Sequence, residues 1–189
     1  MSDQTPRETF VAALEHAVPS GLVPHFELEF FLTMEAFGRV HASQRQYRQW
    51  DQMSESERRL HRRDVADLHV TVARRFDQAG MLYNCPRGWM DEDVRQSVEQ
   101  VRELSGWDYL VTLHGDATFS LPNGDAMMEF VVKLADEPDA MKDLAQQRVD
   151  SALARAERLR GWGTLDGFCL CADYCFNDGP WLSPPMFAE

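Results

Sequence analysis

The sequence predicts an α/β fold of the (β/α)8 TIM-barrel type, with about four β/α units in a single domain over residues 1–189. Three observations carry that prediction. Helical and strand patterns alternate along the chain, and strands separated by helices lie parallel, joined by right-handed crossovers. The candidate strands are short and nearly continuous in apolar residues, as in a parallel sheet buried on both faces. No G-x-G-x-x-G follows any of them and no G-K-[ST] occurs, so nucleotide-binding α/β folds lack their fingerprints. A complete barrel takes about 250 residues, so four units amount to a half barrel.

The elements follow in order. A first helix is expected from Thr5 to Ala17: Thr5 caps it, Pro6 takes the first helical position and Glu8 completes a capping box. Its apolar stripe is Phe10, Val11, Leu14 and Val18, and Pro19, Ser20 and Gly21 break it. Residues 22–32 (LVPHFELEFFL) predict the first strand, because Phe26, Leu28 and Phe30 alternate with His25, Glu27 and Glu29. Residues 34–50 show no clear period. A long helix then runs from Ser54, another capping box, to about Gln78, with Leu60, Val65, Leu68, Val72 and Phe76 facing inward. Gly80 to Pro86 is the second strand. Asp91 opens a helix through Val94, Val98, Val101 and Leu104 that Gly106 stops. Tyr109 to Leu113 is the third strand and leads into His114-Gly115-Asp116. After a turn at Pro122-Asn123-Gly124, Asp125 to Leu134 is a helix. Asp136 starts another, with the stripe Met141, Leu144, Val149, Leu153, Ala156 and Leu159. Gly167 to Ala172 is the fourth strand, and Ser183 caps a last short helix.

Composition narrows the class. Hydrophobic residues make up 44% and charged residues 26%, and five Trp, eleven Phe and four Tyr are too many for a disordered coil. The chain has 31 acidic and 19 Lys and Arg residues, a formal charge of −12, which speaks against phosphate contacts and hence against nucleic acid. No apolar run is long enough for a membrane span. The opening MSDQTPRETF has no basic region followed by an apolar core, so a cytoplasmic protein is expected, with Cys85, Cys169, Cys171 and Cys175 as reduced thiols.

In a parallel barrel the chemistry sits at the C-terminal strand ends. Those ends carry His25, Glu27 and Glu29; Tyr83, Asn84 and Cys85; His114 and Asp116; and Asp173, Tyr174 and Cys175. Glu27 and Glu29 share one face, and either line the interior beside partners or lie in solvent. His114 and Asp116 form a general acid with its orienting carboxylate if the backbone is extended; otherwise Asp116 caps a loop. Cys169 and Cys171 share a strand face, but a thiol is as readily a small core residue. No C-x-x-C or H-x-x-x-H spacing supplies a complete zinc site.

Several motifs together resemble a known family. Asp136-Glu-Pro-Asp-Ala-Met-Lys-Asp-Leu, Gly167-Phe-Cys-Leu-Cys-Ala-Asp-Tyr and Gly179-Pro-Trp-Leu-Ser-Pro-Pro-Met-Phe, with Arg7-Glu8, Ala12-Ala13-Leu14-Glu15-His16 and Val23-Pro24 near the start, resemble the N-terminal half of the uroporphyrinogen decarboxylase superfamily. The resemblance spans nearly the whole chain. It implies a (β/α)8 barrel and either tetrapyrrole decarboxylation or methyl transfer to a corrinoid protein or a thiol, the latter with zinc. The decarboxylase's arginine-rich segment after the first strand is replaced here by His25-Phe-Glu-Leu-Glu-Phe, and its catalytic Asp falls near Cys85. The resemblance therefore implies the methyltransferase-like branch, acting on a small methylated or methoxylated substrate. It places His114, Asp116 and Asp173 in catalysis and His25, Glu27, Glu29, Tyr83, Cys85 and Tyr174 around the substrate. The zinc ligands would lie mainly outside these residues, so the metal site is left unassigned. The expected partners are the substrate, a corrinoid protein as methyl carrier, and either a C-terminal half beyond Glu189 or a second copy. Two rivals remain: the decarboxylase itself, and a non-catalytic half barrel that works only as an assembly.

Overall fold

Helices dominate the computed structural model, which describes residues 4–18, 21–119, 122, 124–171, 175–176 and 178–188. Two compact units emerge. The first holds residues 1–114 and 159–169; the second holds residues 115–158 and 170–189.

The first unit begins with α1 (Pro6–Leu14), whose Thr5 and Glu8 form the expected reciprocal capping box. A short α2 (Thr33–Phe37) follows, and then α3 (Glu55–Arg75), capped in the same way by Ser54 and Glu57. Next come β1 (Gly80–Leu82), α4 (Asp91–Ser105) and β2 (Leu110–His114). The last strand of this unit is β3 (Gly167–Cys169). The three strands are parallel in the order β1-β2-β3, with Met81 opposite Val111 and His114 opposite Cys169. α3 packs on α4. Their Val65, Ala66, Val70, Val94, Val98 and Val101 form one core with Met81, Val111 and Leu113 of the sheet. Each Val, Leu or Met among them contributes about 1.5–3 kcal/mol by leaving water. α4 keeps the predicted stripe and ends at Gly106, whose φ of 61° favours glycine.

The second unit contains α5 (Asp125–Asp136), most of α6 (Pro138–Arg160), the two-residue antiparallel pair β4 (Cys175–Phe176) and β5 (Gly179–Pro180), and α7 (Pro184–Ala188).

This architecture corrects the predicted half barrel. Four β/α units were expected, but the parallel sheet has three strands and the chain is mostly helical. The missing unit is the first. Residues 22–32 form no ladder, and the backbone meets the sheet through one hydrogen bond, from the Ala79 N–H to the His25 carbonyl at 2.8 Å. Pro24 cannot donate to a ladder. The period-two pattern reflects aromatic contacts instead: Phe26 lies 5.7 Å from Phe10, and Phe30 lies 4.7 Å from Phe76. Leu22 is 91% exposed, so the apolar run is no buried strand. The fourth predicted strand is also shorter, ending at Cys169.

Candidate functional site

A buried ionic knot holds the first unit together. Asp166 takes Arg7 Nε and Nη2 on Oδ1, at 2.8 and 2.6 Å. Its Oδ2 accepts from Arg102 Nη2 and the Val111 N–H, each at 2.8 Å. Arg102 also donates to the carbonyls of Tyr109 and Thr164 and lies 4.1 Å over the Trp107 ring. Burial alone would raise the Asp166 carboxyl, but the bonds from Arg7, Val111 and Arg102 hold it below the usual range. Such a knot is scaffolding, since all three charged groups find partners in the protein.

Beside β1 lies a polar recess. A cavity of about 30 Å³ is lined by Glu27, Thr33, His41, His69, Gln78 and Asn84, among others. α3 places His69 there, one turn beyond Val65. His69 Nδ1 bonds the Val65 carbonyl at 2.9 Å, so it carries the proton, and Nε2 accepts from the Asn84 N–H at 3.1 Å. Burial lowers its pKa to about 4, against the Val65 carbonyl, which favours the cation. His69 is therefore neutral at pH 7 and holds the end of β1. His41 is also lowered, first by burial; the charge of Glu29 opposes this and Arg45 adds to it.

A larger cavity lies in the second unit. It measures about 420 Å³, within the range of small-molecule sites. Its walls are Phe130 and Leu134 of α5, Met141, Ala145 and Val149 of α6, Phe119, Trp181 and Met186. Phe130 lies 5.6 Å from Phe119 and 5.3 Å from Trp181, so three rings form a tilted aromatic wall. Lys142 is the one cationic side chain among the lining residues. Arg148 braces the loop from outside this wall, 4.5 Å over the Phe119 ring and 2.8 Å from the Thr118 carbonyl. A 3.6-residue helix puts positions 138, 141, 142, 145 and 149 on one face, which is why Met141 and Val149, two of the six residues of the predicted α6 stripe, face this cavity.

The predicted site residues scatter. His25 is exposed and contributes its carbonyl to Ala79. Glu27 lines the small recess, and Glu29 acts on His41 through its charge. Tyr83 is buried in the core, its ring 4.4 Å from His69, and its hydroxyl pairs with Ser97. Cys85 packs half-buried against that core. His114 is exposed at the end of β2, opposite Cys169. Asp116, in the second unit, accepts from the Cys171 N–H at 2.6 Å. Asp173 and Tyr174 lie outside the described residues. Within either unit alone, the described residues bring no three His, Cys, Asp or Glu ligand atoms together.

Sequence reasoning missed His41, His69 and the aromatic cavity. His69 sits beside Leu68 on a helix read by its apolar residues alone. The cavity rings come from three separate segments, so no local period marks them.

Comparison with family models, with curated proteins and with solved structures gives no match to this chain. No helix among the described residues is long and apolar enough to cross a membrane.

Proposed function

We propose that this chain holds a small, largely apolar, methoxylated aromatic substrate in the cavity of its second unit, as a methyltransferase-like relative of the uroporphyrinogen decarboxylase superfamily. The observation that carries this reading is the aromatic wall of Phe119, Phe130 and Trp181 around about 420 Å³, with Lys142 at its lining. Rings stack on such a wall, and a carboxylate on the substrate pairs with the ammonium. The motif resemblance supports the superfamily and the methyl acceptor, a corrinoid protein or a thiol. Methyl transfer to a thiol breaks the methyl–oxygen bond, forms a carbon–sulfur bond and leaves a phenolate that takes up a proton.

A tetrapyrrole with several carboxylates needs several cations, and one lysine among the lining residues does not meet that need. Calorimetric titration separates the two readings. A dimethoxybenzoate is expected to bind and an octacarboxylate porphyrin not to; the reverse result overturns the proposal. Incubation with the dimethoxybenzoate and a thiol acceptor should then release the phenol, seen by mass spectrometry.

A further inference from the structure

We propose that the small recess beside β1 is a binding site for one internal water that joins Gln78 to His41. Gln78 is 3% exposed, lines the recess, and its Nε2 has no hydrogen-bond partner in the protein. A buried amide N–H left unmatched loses its hydration without compensation, and native proteins rarely tolerate that. His41 is 5% exposed and lines the same recess. Its Nδ1 accepts from the Ser43 N–H at 3.3 Å and pairs with the Ser43 hydroxyl at 2.8 Å. That assigns the ring proton to Nε2, which then seeks an acceptor.

Three further side chains of the recess already have protein partners. Thr33 Oγ1 donates to the Arg39 carbonyl at 2.7 Å. Asn84 Nδ2 donates to the carbonyls of Leu28 and Leu82, at 3.3 and 3.2 Å. Both nitrogens of His69 are paired. The recess thus sets one N–H donor without a protein partner, Gln78 Nε2, beside the His41 ring, whose Nδ1 is taken by Ser43, and beside the side chains of Glu27 and Asn84. A water there accepts from Gln78 Nε2 and from the His41 Nε2–H, and keeps two hydrogens to donate. Size agrees, because about 30 Å³ suits a water and excludes a larger ligand.

The test is water–protein NMR on the full ¹⁵N-labelled chain. The Gln78 side-chain amide should give a rotating-frame cross-peak to water that is lost in Gln78→Met. That variant also removes the water's anchor, so its Tm should fall by about 2–4 °C. A wild-type spectrum with no such cross-peak overturns the proposal. So does a higher Tm in Gln78→Met, the sign expected if an unmatched donor had simply been removed.

Discussion

Replacing Asp166 with alanine should destabilise the first unit by about 3–5 kcal/mol. The side chain is 7% exposed and accepts four hydrogen bonds. The two from Arg7 matter less, because that residue is 31% exposed and water replaces its partner. The other two set the magnitude. Arg102 is 8% exposed, and losing one bond between charged groups costs about 1.5–3 kcal/mol. The Val111 N–H, inside β2, loses its acceptor at a further ~1–3 kcal/mol. Urea unfolding at pH 7, followed by tryptophan emission, reads the loss, since Trp107 lies against Arg102. The double variant Asp166→Leu with Arg102→Leu should cost less than the sum of its singles, with a coupling of at least ~1 kcal/mol. The pH dependence has a definite sign. Asp166 has a depressed pKa when folded, so its contribution is present above the unfolded value, near 3.9, and fades as pH falls through the folded one. A loss below ~1 kcal/mol for Asp166→Ala, or strictly additive variants, would refute the reasoning.

Three further outcomes are expected. His69 is neutral when folded, with a pKa of about 4 against 6.5 unfolded, so the unfolded chain binds the extra proton between those values and stability falls as pH drops through that window. Urea unfolding at pH 7 and pH 5 should show a loss of about 2 kcal/mol, smaller in His69→Gln. Lys142→Ala should weaken binding of a dimethoxybenzoate about tenfold, measured by calorimetry, while binding of the uncharged dimethoxybenzene changes little; this is the loss of roughly one charge-assisted contact. Trp181→Ala should reduce the affinity for both ligands by about tenfold or more, with far-UV circular dichroism unchanged, because one of the three rings is removed.

Parts of this fold were legible in the sequence, for identifiable reasons. α4 was clear because Val94, Val98 and Val101 face a single core and Gly106 stops the helix. The capping boxes at Thr5 and Ser54 involve only neighbours in sequence, so they mark the starts of α1 and α3. α3 was only half legible. Leu60 is 70% exposed, whereas Arg62 is buried, paired with Glu55 and Asp93. A charge neutralised by partners remote in sequence leaves no mark on an apolar pattern. Residues 22–32 misled because alternation records which side chains find apolar neighbours, and the rings of Phe10 in α1 and of Phe76 just past α3 supply those neighbours as well as a strand would. The recess depends on an orphaned donor, Gln78 Nε2, and on which ring nitrogen carries a proton, which only three-dimensional partners decide.

The claim that the second unit holds an aromatic ligand has a direct test in its methionines. Met141 and Met186 line the cavity, whereas Met81 sits in the core of the first unit and Met90 is exposed there. Methyl NMR of the chain labelled at methionine, titrated with a dimethoxybenzoate, should shift the Met141 and Met186 signals saturably and leave Met81 and Met90 in place. No shift at Met141 and Met186, or shifts confined to Met81 or Met90, would contradict the account.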